Sequence, residues 1–279
     1  MVKRESRYVR VARIAYQLAK QALPLYSHAK SPHHFTLHQL GACVLLMYYL
    51  KVSYRDMEEW LLATDTVCKE LELPRVPNYA TLQRTYAKMR KLDLIRMNET
   101  LLNESGTPEE EGVAADSTGF SPGPASSYYQ SRSGKSYHYW AKGVYAVGIV
   151  SQFILAMQSG WGPGSDAPYL GHMRRKARRF AKRRTWVLLA DSGFDGKAVQ
   201  KGDLIPPIRR GGNLLDSERL ARADLVSAAR LDGFYGQRWK TETVNSVIKR
   251  KFGQAIRSRK RSLQNREPIV KGLAYNIHR

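Results

Sequence analysis

Residues 235–251 read YGQRWKTETVNSVIKRK. Tyr235, Arg238, Glu242 and Lys249 are separated there by two, three and six residues. On a helix turning about 100° per residue, their side chains fall within roughly 60° of one another. One carboxylate then shares a stripe with two cations and a phenol. An acid that holds a metal beside a phosphodiester needs such neighbours, because cations grip phosphate oxygens while the acid keeps the metal. The plainer reading makes Glu242 half of a surface ion pair with Arg238, four residues earlier. Such pairs contribute only about 0.3–0.5 kcal/mol, and the reading leaves Tyr235 and Lys249 on the stripe unexplained.

Two upstream segments place further acids in comparable settings. Residues 112–120 read GVAADSTGF and residues 186–195 read WVLLADSGFD. Short apolar runs flanked by polar residues and glycine suit buried strands. The spacing predicts strands ending at Asp116 and Asp191, and the ends of strands are where α/β sheets display functional groups. Asp116 alone also reads as a turn or cap residue, with Asp166 as a competitor. Asp195 competes with Asp191, but Asp191 directly ends its run, and Asp195 is placed to cap a helix expected near Gly196.

The pattern Y-(2)-R-(3)-E-(6)-K, with the upstream "DST" and "ADSGFD" segments, resembles the acid motifs of bacterial and archaeal insertion-sequence DDE transposases, in the groups numbered four and five. The resemblance covers roughly residues 110–279 well and the N-terminal region loosely. It implies that Asp116, Asp191 and Glu242 are catalytic metal ligands for two Mg²⁺ or Mn²⁺ ions. Arg238 and Lys249 would then hold the DNA strand, and Tyr235 would contact a phosphate or a flanking base. It further implies cleavage at transposon inverted-repeat ends, joining to target DNA, a homodimer on double-stranded DNA, and a cytoplasmic, nucleoid-associated protein of a bacterium or archaeon. Larger relatives carry a β-rich insertion before the last catalytic helix. Residues 209–228 are too short for it and hold no Trp.

The charge agrees with a polyanionic partner. Forty-six Lys and Arg against twenty-four Asp and Glu leave +22, a field that favours nucleic acid and predicts steep salt dependence. From Leu170 to Arg279 there are 27 basic and 9 acidic residues, so the excess lies in the half carrying Asp191 and Glu242. The run RRKARRFAKRR at 174–184 reads either as part of a DNA-facing surface or as a solvated helix face. Cys43 and Cys68 make neither a zinc site nor a disulfide framework; oxygen donors without Cys/His clusters favour Mg²⁺ or Mn²⁺ over zinc. The longest apolar run, 42–50, is too short to span a membrane, and the first thirty residues carry no secretory signal.

Residues 1–105 read as a helical N-terminal domain, 106–112 as a linker and 113–279 as an α/β domain. Helices are expected from Tyr8 to Leu23, from the Thr36 cap through Leu50, from Ser53 or Tyr54, and as one continuous helix after the Asn78 cap through residue 98. The third and fourth form either a helix-turn-helix-like unit, with Arg84, Lys88, Arg90 and Lys91 as DNA contacts, or a plain bundle with a basic edge. Strands are expected to end at Asp116, to cover 141–149 and 152–157, to end at Asp191, and to cover 204–208. One long helical stretch from Ser217 would hold Glu242. The order β-β-β-α-β-α-β-α is that of a ribonuclease H-like mixed sheet flanked by helices, with two acids on strands and the third on a late helix.

The polar segment 126–139 interleaves aromatic and basic residues beside the first acid. It suits a DNA backbone or a solvated loop. Trp239 falls next to the acid's face, where an aromatic either stacks on a base or, as the plainer reading has it, packs against the sheet. Two other functions share these features: a domesticated, non-catalytic DNA-binding protein, which has no need of all three acids, and a ribonuclease H-like nuclease, which has no need of the Tyr235/Arg238/Lys249 stripe.

Overall fold

The computed structural model describes residues 5–30, 32–122, 132, 140–209, 211 and 216–279. Apart from Arg132, the basic and aromatic segment 126–139 lies outside the described residues.

The N-terminal part is helical: α1 (Arg7–Ala22), α2 (Leu37–Leu50), α3 (Tyr54–Leu62), α4 (Asp65–Glu70), α5 (Tyr79–Lys88) and α6 (Lys91–Glu104). Local chemistry sets their starts. The Ser6 and Asn78 side chains accept from the first turns of α1 and α5. Thr36 with Gln39, and Ser53 with Asp56, form reciprocal capping boxes. The single helix expected after Asn78 is in fact two. Met89 and Arg90 are extended, and the Asp93 carboxylate takes the Arg90 N–H at 2.8 Å, which starts a new helix. The short α4 stands between the third and fourth expected helices. Helix α2 is buried from Gln39 to Tyr49, Cys43 included, as its nearly all-apolar sequence requires.

The sheet has the order β3-β2-β1-β4: β1 (Gly112–Pro122), β2 (Trp140–Gly148), β3 (Ile154–Gly162) and β4 (Val187–Leu189). Strands β1, β2 and β3 are antiparallel neighbours, β4 runs parallel to β1, and a two-residue strand β5 (Ala255–Ile256) pairs with the far end of β1. The first strand does not end at Asp116. It runs on to Pro122 because β2 pairs with it as far as Phe120 and β5 takes over at Ser121. The strand expected at 204–208 is reduced to one bridge between Leu204 and Leu189; Pro206 and Pro207 follow at once and cannot donate to a ladder.

Helix α7 (Ala167–Ala181) covers one face of the sheet, burying Leu170, Met173, Ala177 and Phe180 against Val113, Ala115, Val144 and Ala146. The long helical stretch expected from Ser217 is divided. Helix α8 (Ser217–Leu231) stops before Gly233, whose φ of +81° suits a residue without Cβ. A single 3-10 turn, Tyr235–Arg238, then leads into α9 (Trp239–Phe252). Helix α9 and the C-terminal helix α11 (Glu267–His278), reached through the one-turn α10 (Arg261–Gln264), cover the other face. There Val244, Ile248, Phe252 and Leu273 join Phe120, Tyr145 and residues of α1, α2 and α6 in one core. Polar bonds reinforce the junction. The Asn276 amide donates to Asn98 Oδ1 at 2.6 Å while its Oδ1 accepts from Ile154 N at 2.9 Å, and Arg257 donates to the carbonyls of Lys51 and Val52. The stretch 106–112 is fastened at Glu110, fully buried and accepting from the backbone of Val150 and Ser151.

Candidate active site

The register of the central pair assembles the candidate site. Parallel β1 and β4 set Ala114 against Leu189. The ladder ends there; Asp191 follows two residues on, still extended, and its charge acts on Asp116. Paired residues of neighbouring strands project to one face. That face is fixed by Val113 and Ala115, which pack beneath α7 and leave Ala114 and Asp116 to the opposite side. Helix α9 crosses there and delivers Glu242 from its first turn.

Asp116 is mostly buried, and burial pushes its carboxyl up to about 6. The charges of Asp191 and Glu242 push in the same direction, while a hydrogen bond from the Ser117 backbone and the Arg238 guanidinium oppose them. The three acids therefore act on one another electrically. Asp116 Oδ2 accepts from the Asn245 amide at 2.9 Å, and Asp191 Oδ1 accepts from the Gly193 N–H, also at 2.9 Å. A Cβ at position 193 would lie 3.0 Å from Asp191 Oδ1 and 3.7 Å from Asp166 Oδ2, so a fourth carboxylate stands beside the second.

The competing acids are committed to internal cations. Asp166 accepts from Lys142 Nζ at 2.7 Å and from the Ser117 hydroxyl at 2.8 Å. Asp195 caps no helix at Gly196; a 3-10 turn at Ser192–Phe194 stands before it instead. Its carboxylate joins Arg219 and Arg222 of α8 and accepts from Ile208 N, which ties the segment after Asp191 to α8. Asp116 and Asp191 have no ion pair among the described residues.

The stripe read on a single helix is bent by the turn before α9. The Tyr235 hydroxyl is directed into the protein and donates to the Ala190 carbonyl at 3.1 Å. Arg238 donates to Glu242 at 2.9 Å, the ion pair that the plainer reading expected, with the Glu242 side chain 57 % exposed. Lys249 lies two turns further along α9, half-buried, with no ion pair among the described residues. Trp239 is 51 % exposed rather than packed on the sheet.

Arg84 and Lys88 stand apart from the acids. With Tyr26, Phe35, Arg75 and Thr81 they line a cleft of about 290 Å³ between α5 and the α1–α2 connection, with no carboxylate among its lining residues. Much of the basic run in α7 is consumed internally: Arg174 pairs with Asp203, and Lys176 and Arg179 pair with Glu99.

Oxygen donors concentrated around a carboxyl held near 6 are the chemistry a hard divalent cation would offset. The donor set fits Mg²⁺ or Mn²⁺ in kind. Among the described residues no three His, Cys, Asp or Glu stand close enough together to hold a metal ion; Glu242 is turned to Arg238 instead. The sequence reading missed Asn245 and the Lys142–Asp166–Ser117 set. Asn245 carried a signal, as a polar residue one turn after Glu242 on the same stripe; the other three are far apart in the chain.

No helix among the described residues is long and apolar enough to cross a membrane. The family model described as transposase DDE domain matches residues 107–277. None of the curated proteins compared with the chain matches it.

Proposed function

The chain belongs to the transposase DDE-domain family, and from that premise we propose that it cuts DNA at the ends of an insertion sequence of the group four and five type and joins those ends to target DNA. Asp116, Asp191 and Glu242 are the proposed catalytic acids. The observation that supports the assignment is the carboxyl of Asp116 on β1, raised by burial and by the charges of Asp191, two residues beyond β4, and of Glu242 on α9, while Asp166 and Asp195 are neutralised by internal cations.

The three acids would hold divalent cations, Mg²⁺ or Mn²⁺, which when bound supply Lewis-acid activation of a water or 3′-hydroxyl and stabilise the leaving oxygen. The chain's own part is positioning. Asn245 and the Gly193 N–H orient the first two carboxylates. Arg238 shields Glu242 in the free protein and is near enough to turn to a phosphate when Glu242 is engaged elsewhere. Lys249 is the proposed second phosphate contact on α9.

The N-terminal helices, residues 1–105, are the proposed end-binding part, with 106–112 as the connection to the catalytic part, 113–279. Arg84 and Lys88 in the acid-free cleft suit phosphate. Two ends must be brought together for joining, so the working form is a dimer on double-stranded DNA inside a bacterial or archaeal cell.

The decisive experiment is strand cleavage and joining by the purified protein with Mg²⁺ or Mn²⁺, on DNA carrying the ends of its element, beside Glu242→Gln. Both reactions by the native protein and neither by the variant support the proposal. Cleavage without joining points to a nuclease. Binding with no chemistry points to a domesticated DNA-binding protein.

A further inference from the structure

Asn245 lies one turn after Glu242 on α9 and is only 7 % exposed. Its amide nitrogen donates to Asp116 Oδ2 at 2.9 Å. Its Oδ1 is buried and has no hydrogen-bond partner among the described residues. Turned over, the amide would set its carbonyl against a carboxylate oxygen, acceptor to acceptor, so the bond to Asp116 also fixes where the orphaned Oδ1 sits. A buried acceptor left unpaired forfeits its hydration without return. Such an atom calls for a donor, and a water or the shell of a bound ion supplies one.

We infer that Asn245 is a positioning residue for Asp116, an inference that rests on the proposed metal-dependent reaction. By gripping Oδ2 it leaves Asp116 Oδ1 as the oxygen presented to a divalent cation. Its own Oδ1 is the acceptor kept for a water that accompanies the cation. The residue touches neither DNA nor the reacting atoms. It acts through Asp116, as outer hydrogen-bond partners of metal ligands do.

Mn²⁺ binding, followed by electron paramagnetic resonance on the full chain bound to duplex DNA of its element, tests this without any reading of activity. Asn245→Leu removes the donor and the orphaned acceptor together. The variant is expected to keep or raise its thermal midpoint, because a buried unpaired group is gone, and yet to bind Mn²⁺ about 10–100-fold more weakly. Should the leucine variant not fold, Asn245→Ala replaces it with the same expected loss of Mn²⁺ affinity. Native Mn²⁺ affinity in a folded variant overturns the inference and leaves the proposed reaction standing. A native protein–DNA complex that binds no Mn²⁺ overturns both.

Discussion

The Tyr235 hydroxyl donates to the carbonyl of Ala190 at 3.1 Å, which fastens the residue before Asp191 to the turn that leads into the helix of Glu242. Two candidate acids on separate elements are thus held in one frame, and burial pushes the phenol's pKa up. Tyr235→Phe removes the hydroxyl and leaves the ring. Stability is expected to fall by about 0.5–1.5 kcal/mol, and cleavage to fall with it. The salt dependence of DNA binding is expected to stay unchanged. DNA affinity lowered equally at every salt concentration, beyond what the lost stability explains, would mean that the hydroxyl leaves Ala190 for a phosphate in the complex, since a neutral phenol releases no counterions.

Acids that do chemistry and acids that hold the fold should part company when neutralised. Asp116→Ala, Asp191→Ala and Glu242→Ala are each expected to abolish Mg²⁺-dependent cleavage and to leave DNA binding measurable; cleavage retained in any one removes that residue from the site. Asp195→Ala should behave differently. It strands Arg222, whose side chain is 15 % exposed, and takes a partner from Arg219, which is 38 % exposed; breaking the buried Arg222 pair costs about 3–5 kcal/mol, and the solvent-screened Arg219 pair adds little. Urea unfolding separates the classes, with Asp195→Ala far below the native midpoint and the three site variants at or above it.

Asp116 gives a pH dependence whose sign follows from its shift. The carboxyl is raised from 3.8 to about 6, first by burial, so between those values the folded chain binds more protons than the unfolded one. Its contribution to stability is full below 3.8 and is lost as pH rises through 6. The shift corresponds to about 3 kcal/mol at most. Against Asp116→Asn, which carries no charge at any pH, the native protein should therefore lose ground between about pH 4 and 6 and then hold a constant deficit. Metal-free urea titrations at pH 4, 6 and 7.5 read this out; a difference that does not change with pH would show that burial does not disfavour the ionised Asp116.

Much of this arrangement is visible in the chain, and the reasons for the exceptions are physical. Asp191 is legible because it closes the apolar run from Val187 to Ala190, a pattern internal to one strand. Thr36, Ser53 and Asn78 are legible as caps because capping is local. The extent of β1 beyond Asp116 is not, since it depends on β2 and β5, whose pairing is long-range. The stripe from Tyr235 to Lys249 assumes a helix throughout. Gly233 and the 3-10 turn after it redirect Tyr235 toward β4, and only the fold shows that Ala190 waits there. Asn245 and Asp116 are 129 residues apart. So too with the rival acids: Asp166 and Asp195 look like Asp116 and Asp191 until Lys142, Arg219 and Arg222 are placed beside them.

The cleft of Arg84 and Lys88 makes a separable prediction about affinity. Thr81, Arg84, Thr85 and Lys88 recur at helical spacing on α5 and all line the cleft, and Arg84 and Lys88 form no ion pair among the described residues. A cation that is unpaired in the free protein releases counterions from DNA at no cost in broken internal pairs. Each such contact steepens the salt dependence by about 0.9 in log–log slope. Arg84→Ser with Lys88→Ser should therefore weaken duplex binding and flatten the slope by nearly two such increments, with cleavage of the bound fraction unchanged because neither residue approaches the acids. Arg174→Ser with Lys176→Ser is the contrasting pair. These cations are already matched by Asp203 and Glu99, so they should cost stability and leave the slope alone. Fluorescence anisotropy across a salt series distinguishes the two. Equal slopes for the native protein and the Arg84/Lys88 variant would remove the cleft from the DNA interface.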